Sequence, residues 1–232
     1  MSVIKPYRRL NKRQIEEQAN HLLRQMQGTV NAPKWPYIAD RVTNFLNLSI
    51  DWEHIEPDTG GIVAARIYPG LRLIQLNLAF PAIQDNRGLE QSSLAHEVGH
   101  WMLHVNQDEA DGFVKQLGFA FDQDLTQQPF LCRNVTEQRI YRQQNQTQAD
   151  WMEWQAQYFA SCLLMPRYKL EEVRKGRDLT NPRHLDAMRD ELGVTITNLK
   201  HRLRDLGWIQ IVEGSKQIYA GNMLFEDSNL SQ

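Results

Sequence analysis

Hydrophobic residues near the start of the chain recur three and four positions apart, which is the spacing of one face of an α-helix. The first predicted helix opens with Asn11 and Gln14, which fit a capping box, and ends before Gly28. Its apolar face comprises Ile15, Ala19, Leu22, Leu23 and Met26. A second amphipathic helix is predicted after Pro36.

The pattern then changes to one typical of β-strands. Residues 48–55 are compatible with a strand, and the stretch GIVAARIYPGLRLIQLNLAF predicts two strands joined by a Tyr-Pro-Gly turn. In the second of these strands apolar positions alternate with Gln75 and Asn77, so one face is expected in the core and the other is polar. Ser92 or Ser93 is predicted to cap the helix that follows.

The second half of the chain begins with residues 105–148, a stretch rich in Gln and Asp that predicts a long irregular connection. Residues 149–165 predict a strong helix that Pro166 ends. Beyond it, the pattern predicts a helix, a turn at Gly193, a second helix and two short strands about Glu213-Gly214. This is the outline of a small winged helix-turn-helix, and the whole order predicts an α+β fold class.

Composition and charge narrow the classes of protein. With 41% hydrophobic and 23% charged residues, the 232-residue chain is of ordinary globular composition. Its formal net charge of -2 gives no overall attraction to nucleic acid or membrane, and its apolar runs are shorter than the about 20 residues that a bilayer span requires. Cys132 and Cys162 form no CxxC pair, so we expect a soluble cytoplasmic protein in which histidines and carboxylates hold any metal.

Three of the seven histidines lie in the stretch LAHEVGHWMLH, residues 94–104. On a helix, His96 and His100 project from the same side and can reach one metal ion. Glu97 lies one step round the helix, where a general base for a bound water belongs. The alternative is an amphipathic helix whose histidines are half-buried and hydrogen-bonded.

His104 continues the spacing but lies about 12 Å along the helix axis from His96, too far for both to bind one tetrahedral ion. We therefore predict a structural or outer-shell role for it. The third ligand must come from elsewhere, and the acidic residues within 108–111 lie in a polar stretch where nothing fixes them. Glu153 is favoured because it is a lone carboxylate among aromatic residues, where desolvation is costly unless it is paired or metal-bound.

The neighbours of Glu153 fit this prediction. Ala156 and Ala160 allow another helix to approach closely. Gln157, one turn further on, could orient a ligand histidine by bonding its second ring nitrogen. The alternative is that Glu153 pairs with an arginine within residues 139–142.

The combination of SLAHEVGHWMLH with EWQAQYFASCLLMP resembles the ImmA/IrrE family of zinc metallopeptidases. The resemblance implies a zincin-like metallopeptidase domain at residues 1–168, with an HExxH helix, a small sheet and a glutamate-bearing helix. A winged helix-turn-helix-like lobe at residues 169–232 would follow. The residues it implies as zinc ligands are His96, His100 and Glu153, with Glu97 as the catalytic glutamate. Where this chain has Gln157, the family commonly has Asn or Asp.

The family resemblance further implies a cytoplasmic endopeptidase that cleaves a helix-turn-helix repressor and so induces stress or mobile-element genes. Zn²⁺ is the expected metal, although sites of two histidines and a glutamate also accept Mn²⁺. The strand bearing Gln75 and Asn77 could hold an extended substrate by main-chain pairing. Tyr158 and His104 are the candidates for stabilising the oxyanion.

Two other functions stay open from the sequence. Basic residues crowd the second C-terminal helix, at Lys200, His201, Arg202 and Arg204, so direct DNA binding is conceivable, although acidic neighbours dilute the charge. A zinc protein that sequesters its repressor without cleaving it is the other alternative. Glu97 argues against that alternative, because metal binding does not require it. The basic N-terminus predicts a solvated tail.

Overall fold

The computed structural model describes residues 3–58, 61–111, 130–133, 147–212 and 217–221. Its main helices are α1 Lys12–Met26, α2 Ile38–Phe45, α3 Pro81–Asp85, α4 Arg87–His104, α5 Gln148–Leu164, α6 Arg167–Val173, α7 Pro182–Leu192 and α8 Ile196–Asp205. Its strands are β1 Ser49–Glu53, β2 Val63–Tyr68, β3 Leu73–Asn77, β4 Phe130–Arg133, β5 Ile209–Ile211 and β6 Ile218–Ala220. This order agrees with the predicted mixture of helices and a small sheet.

Helix α1 begins with the predicted capping box, in which the side chains of Asn11 and Gln14 bond each other's main-chain N–H groups. The five apolar residues predicted for its inner face are all buried. Helix α2 also follows its prediction and buries Ile38 and Val42. Both helices pack against α5, so their apolar faces form part of one core with the later elements.

Strand β3 lies inside the larger sheet, whose strand order is β1-β3-β2-β4. It pairs in parallel with β1 and antiparallel with β2, so both of its edges are already occupied. The prediction that Gln75 and Asn77 lie on a substrate-pairing strand is therefore wrong. Gln75 instead accepts a hydrogen bond from Arg66. The buried Asn77 side chain bonds the main chain of Ile55 and Val63.

Helix α4, which carries the HExxH motif, begins earlier than predicted. Asn86 is its N-cap and accepts a hydrogen bond from the N–H group of Leu89. The predicted cap at Ser92 or Ser93 is wrong, because both residues lie inside the helix. The Ser92 hydroxyl donates to the Gly88 carbonyl at 2.6 Å, which satisfies it locally.

The N-terminal segment packs along the end of α4, while its basic residues Arg8, Arg9, Lys12 and Arg13 are exposed, as predicted for a solvated stretch. Val3 is buried, and Ile4 forms an antiparallel bridge with Val105. The main-chain N–H of Lys5 donates to the His104 carbonyl at 2.8 Å. These contacts bring the segment close to the last turn of the motif helix.

Within the predicted irregular connection, the structure describes residues 105–111, 130–133, 147 and 148. One of these stretches is strand β4, which pairs antiparallel with β2. The prediction of an irregular stretch is therefore wrong at β4, whose partner strand is distant in sequence and invisible to local periodicity. The remainder of the connection, including residues 139–142, lies outside the described residues.

The C-terminal region contains the predicted succession of helix, turn, helix and two strands. Helix α7 ends at Gly193, whose φ of 68° is left-handed, and strands β5 and β6 pair antiparallel. The predicted turn at Glu213-Gly214 lies outside the described residues, and the winged helix-turn-helix assignment stays a prediction. Over the described ranges, every helix is too short or too polar to cross a membrane.

Candidate metal centre

The crossing of α4 and α5 builds the site. Gly99 of α4 faces Ala156 of α5, and the absence of a side chain at Gly99 lets the two backbones touch. Ala156 and Ala160 are both buried, as the prediction of close helix approach requires. This crossing brings the His96 and His100 imidazoles opposite the Glu153 carboxylate.

The three predicted ligands converge on one point. His96 Nε2 lies 3.1 Å from Glu153 Oε2, His100 Nε2 lies 3.3 Å from Glu153 Oε1, and the two Nε2 atoms are 3.0 Å apart. Ligand atoms placed tetrahedrally at about 2.0–2.1 Å from a zinc ion would be about 3.3 Å apart. The donor set and its spacing therefore fit a divalent cation held by two imidazoles and one carboxylate.

Burial and charge act in opposite directions at these groups. Burial alone would raise the pKa of Glu153, but the nearby imidazoles of His100 and His96 outweigh it and hold that pKa well below its usual range. Burial would likewise lower the pKa of His96, which Glu153 and Glu97 instead raise. For His100, burial prevails and lowers the pKa. The site thus favours an ionised Glu153 beside the histidines.

Glu97 is fully buried on α4, next to His96 in the chain. Its charge is close enough to contribute to the raised pKa of His96, and it is not a member of the ligand group formed by His96, His100 and Glu153. Glu97 therefore lies beside the ligand group without belonging to it, which is the arrangement expected for a general base.

Gln157 contacts a ligand histidine, as the sequence suggested. Its amide oxygen lies 3.2 Å from Nδ1 of His96. An oxygen acceptor at this nitrogen places the proton on Nδ1 and leaves Nε2 free to bind a cation. Gln at this position is therefore long enough to reach the histidine from α5.

His104 lies in a second group that sequence reasoning found only in part. Its Nδ1 atom is 3.1 Å from Nδ1 of His100, and its Nε2 atom is 3.1 Å from the amide oxygen of Gln155. Both ring nitrogens are therefore engaged, so the predicted oxyanion role of His104 is wrong and the predicted outer-shell position fits. Gln155, which is fully buried, was missed; an amide directly after Trp154 was its only sequence signal.

Tyr158, the second oxyanion candidate, is held between two neighbours. Its ring stacks on Trp154 at 5.6 Å, and its hydroxyl lies 3.4 Å from Nη1 of Arg202. Burial and the nearby Cys162 raise the pKa of Tyr158, so its hydroxyl keeps its proton at physiological pH.

A cavity of about 880 Å³ lies between α5 and the C-terminal helices. Trp154, Gln157 and Tyr158 of α5 form part of its wall, and residues of α8 form another part, among them Thr197, Asn198 and His201. Gln157 both lines this cavity and contacts His96, whereas His96, Glu97, His100 and Glu153 are not among the lining residues. The C-terminal region therefore shares this cavity wall with Gln157, the contact of His96.

Comparison with known families agrees with this site. Residues 129–204, about a third of the chain, match the model of the IrrE N-terminal-like domain, a peptidase family. The match supports a metallopeptidase-type family for this region of the chain. The match supports membership of the chain in the ImmA/IrrE family and confirms the resemblance seen in its motifs. It includes Glu153 but not the HExxH helix, and no curated protein matched the chain.

Proposed function

We propose that this protein is a cytoplasmic zinc-dependent endopeptidase that cleaves a helix-turn-helix repressor. The observation that carries the proposal is the convergence of His96, His100 and Glu153 at the spacing of a tetrahedral metal site. The family match supports the metallopeptidase class. The repressor as substrate and the induction of stress or mobile-element genes rest on the family resemblance.

The chemistry divides between the ligands and Glu97. Nε2 of His96, Nε2 of His100 and the Glu153 carboxylate would hold the zinc ion, with Mn²⁺ as the alternative metal. When bound, the ion would activate a water molecule and polarise the scissile carbonyl. A carboxylate oxygen of Glu97 would accept the proton of the attacking water and return it to the leaving nitrogen.

The cavity between α5 and α8 supports a substrate-binding role for the C-terminal region. It is large enough for several side chains of a peptide, and its walls combine aromatic rings with hydroxyl and amide groups. An extended substrate strand would have to pair with an outer strand of the sheet. Within the described residues β4 is one such edge, and it contacts α4.

The direct test uses zinc-loaded protein, a purified candidate repressor and Glu97→Gln as the matched variant. The expected result is one defined cleavage product from the unaltered protein, and a loss of about 100-fold to 10,000-fold in rate with Glu97→Gln. Glu97→Gln should bind as much zinc as the unaltered protein. Equal cleavage by both proteins would refute the assignment of Glu97 as general base.

A DNA-binding function is the second candidate, and the structure removes part of its support. Arg202, counted among the basic residues of the second C-terminal helix, is fully buried and bonds Glu16. It is therefore unavailable to phosphate groups. Binding to duplex DNA that weakens steeply with salt would favour this function instead.

A repressor-sequestering zinc protein is the remaining alternative. It would bind zinc and the repressor as the endopeptidase does but leave the repressor intact. Stable complex formation without any product, by the zinc-loaded protein, would favour it over proteolysis.

A further inference from the structure

A chain of four hydrogen-bonded groups runs from the candidate metal site to the N-terminal segment. Nδ1 of His100 lies 3.1 Å from Nδ1 of His104, and Nε2 of His104 lies 3.1 Å from Oε1 of Gln155. Nε2 of Gln155 then donates to the Arg8 carbonyl at 3.0 Å. The three side chains are all buried, which shields these bonds from competition with water.

The Arg8 carbonyl, the last group of this hydrogen-bonded series, fixes the donor and acceptor of every bond in it. The Arg8 carbonyl can only accept, so it must face the NH₂ group of Gln155, and the Gln155 oxygen must face His104. Since an amide oxygen only accepts, Nε2 of His104 carries the proton of that ring. Nδ1 of a neutral His104 is then an acceptor, and Nδ1 of His100 must donate to it.

We propose that Gln155 and His104 are positioning residues that hold His100 as the Nδ1–H tautomer, so that its Nε2 lone pair points at the metal. The proposal rests on the metal site of the proposed function but not on the peptidase activity. His96 is set in the same tautomer by Gln157. The two ligand histidines are therefore oriented by separate partners: Gln157 of α5 contacts His96, and His104 of α4, itself held by Gln155 of α5, contacts His100.

The geometry also explains why His104 follows His100 at a spacing of four residues. The two rings are neighbours on α4, with centroids 5.2 Å apart, and His104 lies within hydrogen-bonding distance of Gln155. His104 thus links His100 to a buried amide. Partners of this kind typically change metal affinity by about 10-fold to 100-fold when removed.

The first measurement is the tautomeric state of the rings in the full-length zinc-loaded protein. Long-range ¹⁵N–¹H NMR on ¹⁵N-histidine-labelled protein distinguishes Nδ1–H from Nε2–H rings. We expect His100 as Nδ1–H and His104 as Nε2–H. The opposite assignment for either ring would overturn the proposal.

The second measurement is zinc affinity by competition with a chromophoric chelator. Gln155→Leu should redistribute the His104 tautomers and lower zinc affinity by about 10-fold, and His104→Phe should lower it by about 10-fold to 100-fold. Leu163→Ala, at a buried position on the same helix outside this chain of bonds, is the matched control for lost stability. It should keep the affinity of the unaltered protein.

The outcomes separate this proposal from the proposed function. Zinc binding by the unaltered protein, with affinities of Gln155→Leu and His104→Phe within twofold of it, would overturn the positioning role while leaving the endopeptidase possible. Absence of zinc binding in the unaltered protein would overturn both. If Gln155→Leu and His104→Phe lose zinc affinity as expected but the unaltered protein cleaves no repressor, the positioning role is supported. Only the endopeptidase function is then contradicted.

Discussion

Gly99 and Ala156 are so close that a Cβ atom added to Gly99 would stand 2.7 Å from the Ala156 carbonyl oxygen. No real Cβ atom tolerates this contact, so Gly99→Ala must force α4 and α5 apart. The histidine ligands are on one of these helices and Glu153 is on the other. We therefore expect Gly99→Ala to weaken zinc binding at least about tenfold and to cost about 1–3 kcal/mol of stability through overpacking.

Chelator competition and thermal unfolding measure the two effects of Gly99→Ala. Val98→Ala provides the control, because Val98 is buried on the same helix and its truncation removes contacts without pushing the helices apart. Val98→Ala should bind zinc with the affinity of the unaltered protein. Equal affinities for both variants would show that the helix separation does not set the metal site.

Glu153 should couple zinc binding to folding. A ligand that binds only the folded state stabilises it by about 4 kcal/mol at a thousandfold excess over its dissociation constant. Added zinc should therefore raise the melting temperature of the unaltered protein by about 8–16 °C. Glu153→Gln, which lacks the charged ligand, should lose most of that shift in a calorimetric scan.

Glu172→Gln is the control for the zinc-dependent shift, since Glu172 is exposed on α6 and pairs only with Lys169 among the contacts described. It should keep the full shift in melting temperature. A similar shift with Glu153→Gln would mean that zinc binds somewhere other than the converging ligands.

The stability of the protein should depend on pH through Glu16. Burial would raise the pKa of Glu16, but Arg202 and Arg167 outweigh it and lower that pKa in the folded state. A lowered folded pKa gives stability that is present above the unfolded value of about 4.3 and is lost as pH falls through the folded value. Glu16→Gln should therefore show a weaker loss of stability in urea unfolding as pH falls below about 4.3.

The partner of Glu16 allows a sharper test. Glu16→Leu leaves the buried Arg202 charge without its carboxylate and should cost about 3–5 kcal/mol at neutral pH. The double variant Glu16→Leu, Arg202→Met removes both charges and should be more stable than Glu16→Leu alone. Additive losses in this double-mutant cycle would contradict the coupling.

The cavity that Gln157 lines should matter for substrate binding and not for metal binding. Thr197 is exposed on α8 and lines the cavity, so Thr197→Trp should fill part of it. We expect repressor cleavage to fall at least about tenfold while zinc affinity stays unchanged. The control is Arg204→Trp, at an exposed position of the same helix that does not line the cavity, and it should cleave the repressor at the normal rate. Equal cleavage by both variants would show that the cavity does not bind the substrate.

Much of the helical structure could be predicted, because local signals determine it. The capping box at Asn11 and the stop at Pro166 act within one helix turn, and both lie where the sequence placed them. The converging residues His96, His100 and Glu153 were also predictable, since their chemical types are unusual in their local context.

The features that could not be predicted from the sequence depend on contacts between distant segments. The alternation around Gln75 indicates a strand but not its place in the sheet, and pairing with β1 removes the edge that substrate binding needed. From the sequence alone, Arg202 is indistinguishable from a surface charge, because its ion pair with Glu16 forms only in the folded protein. Gln155 gave little sign of its contact with His104, because that contact exists only once α4 and α5 cross.

The Arg8 end of the hydrogen-bond chain is a peptide carbonyl, which every amino acid supplies. The side chain at position 8 is accordingly free to change during evolution, whereas the course of the backbone through that point is constrained. An insertion or deletion between Val3 and Asn11 would misplace the carbonyl and disturb a metal ligand in the middle of α4. Indels there should therefore be tolerated far less well than substitutions, even though no residue of that segment touches the metal ligands directly in the contacts described.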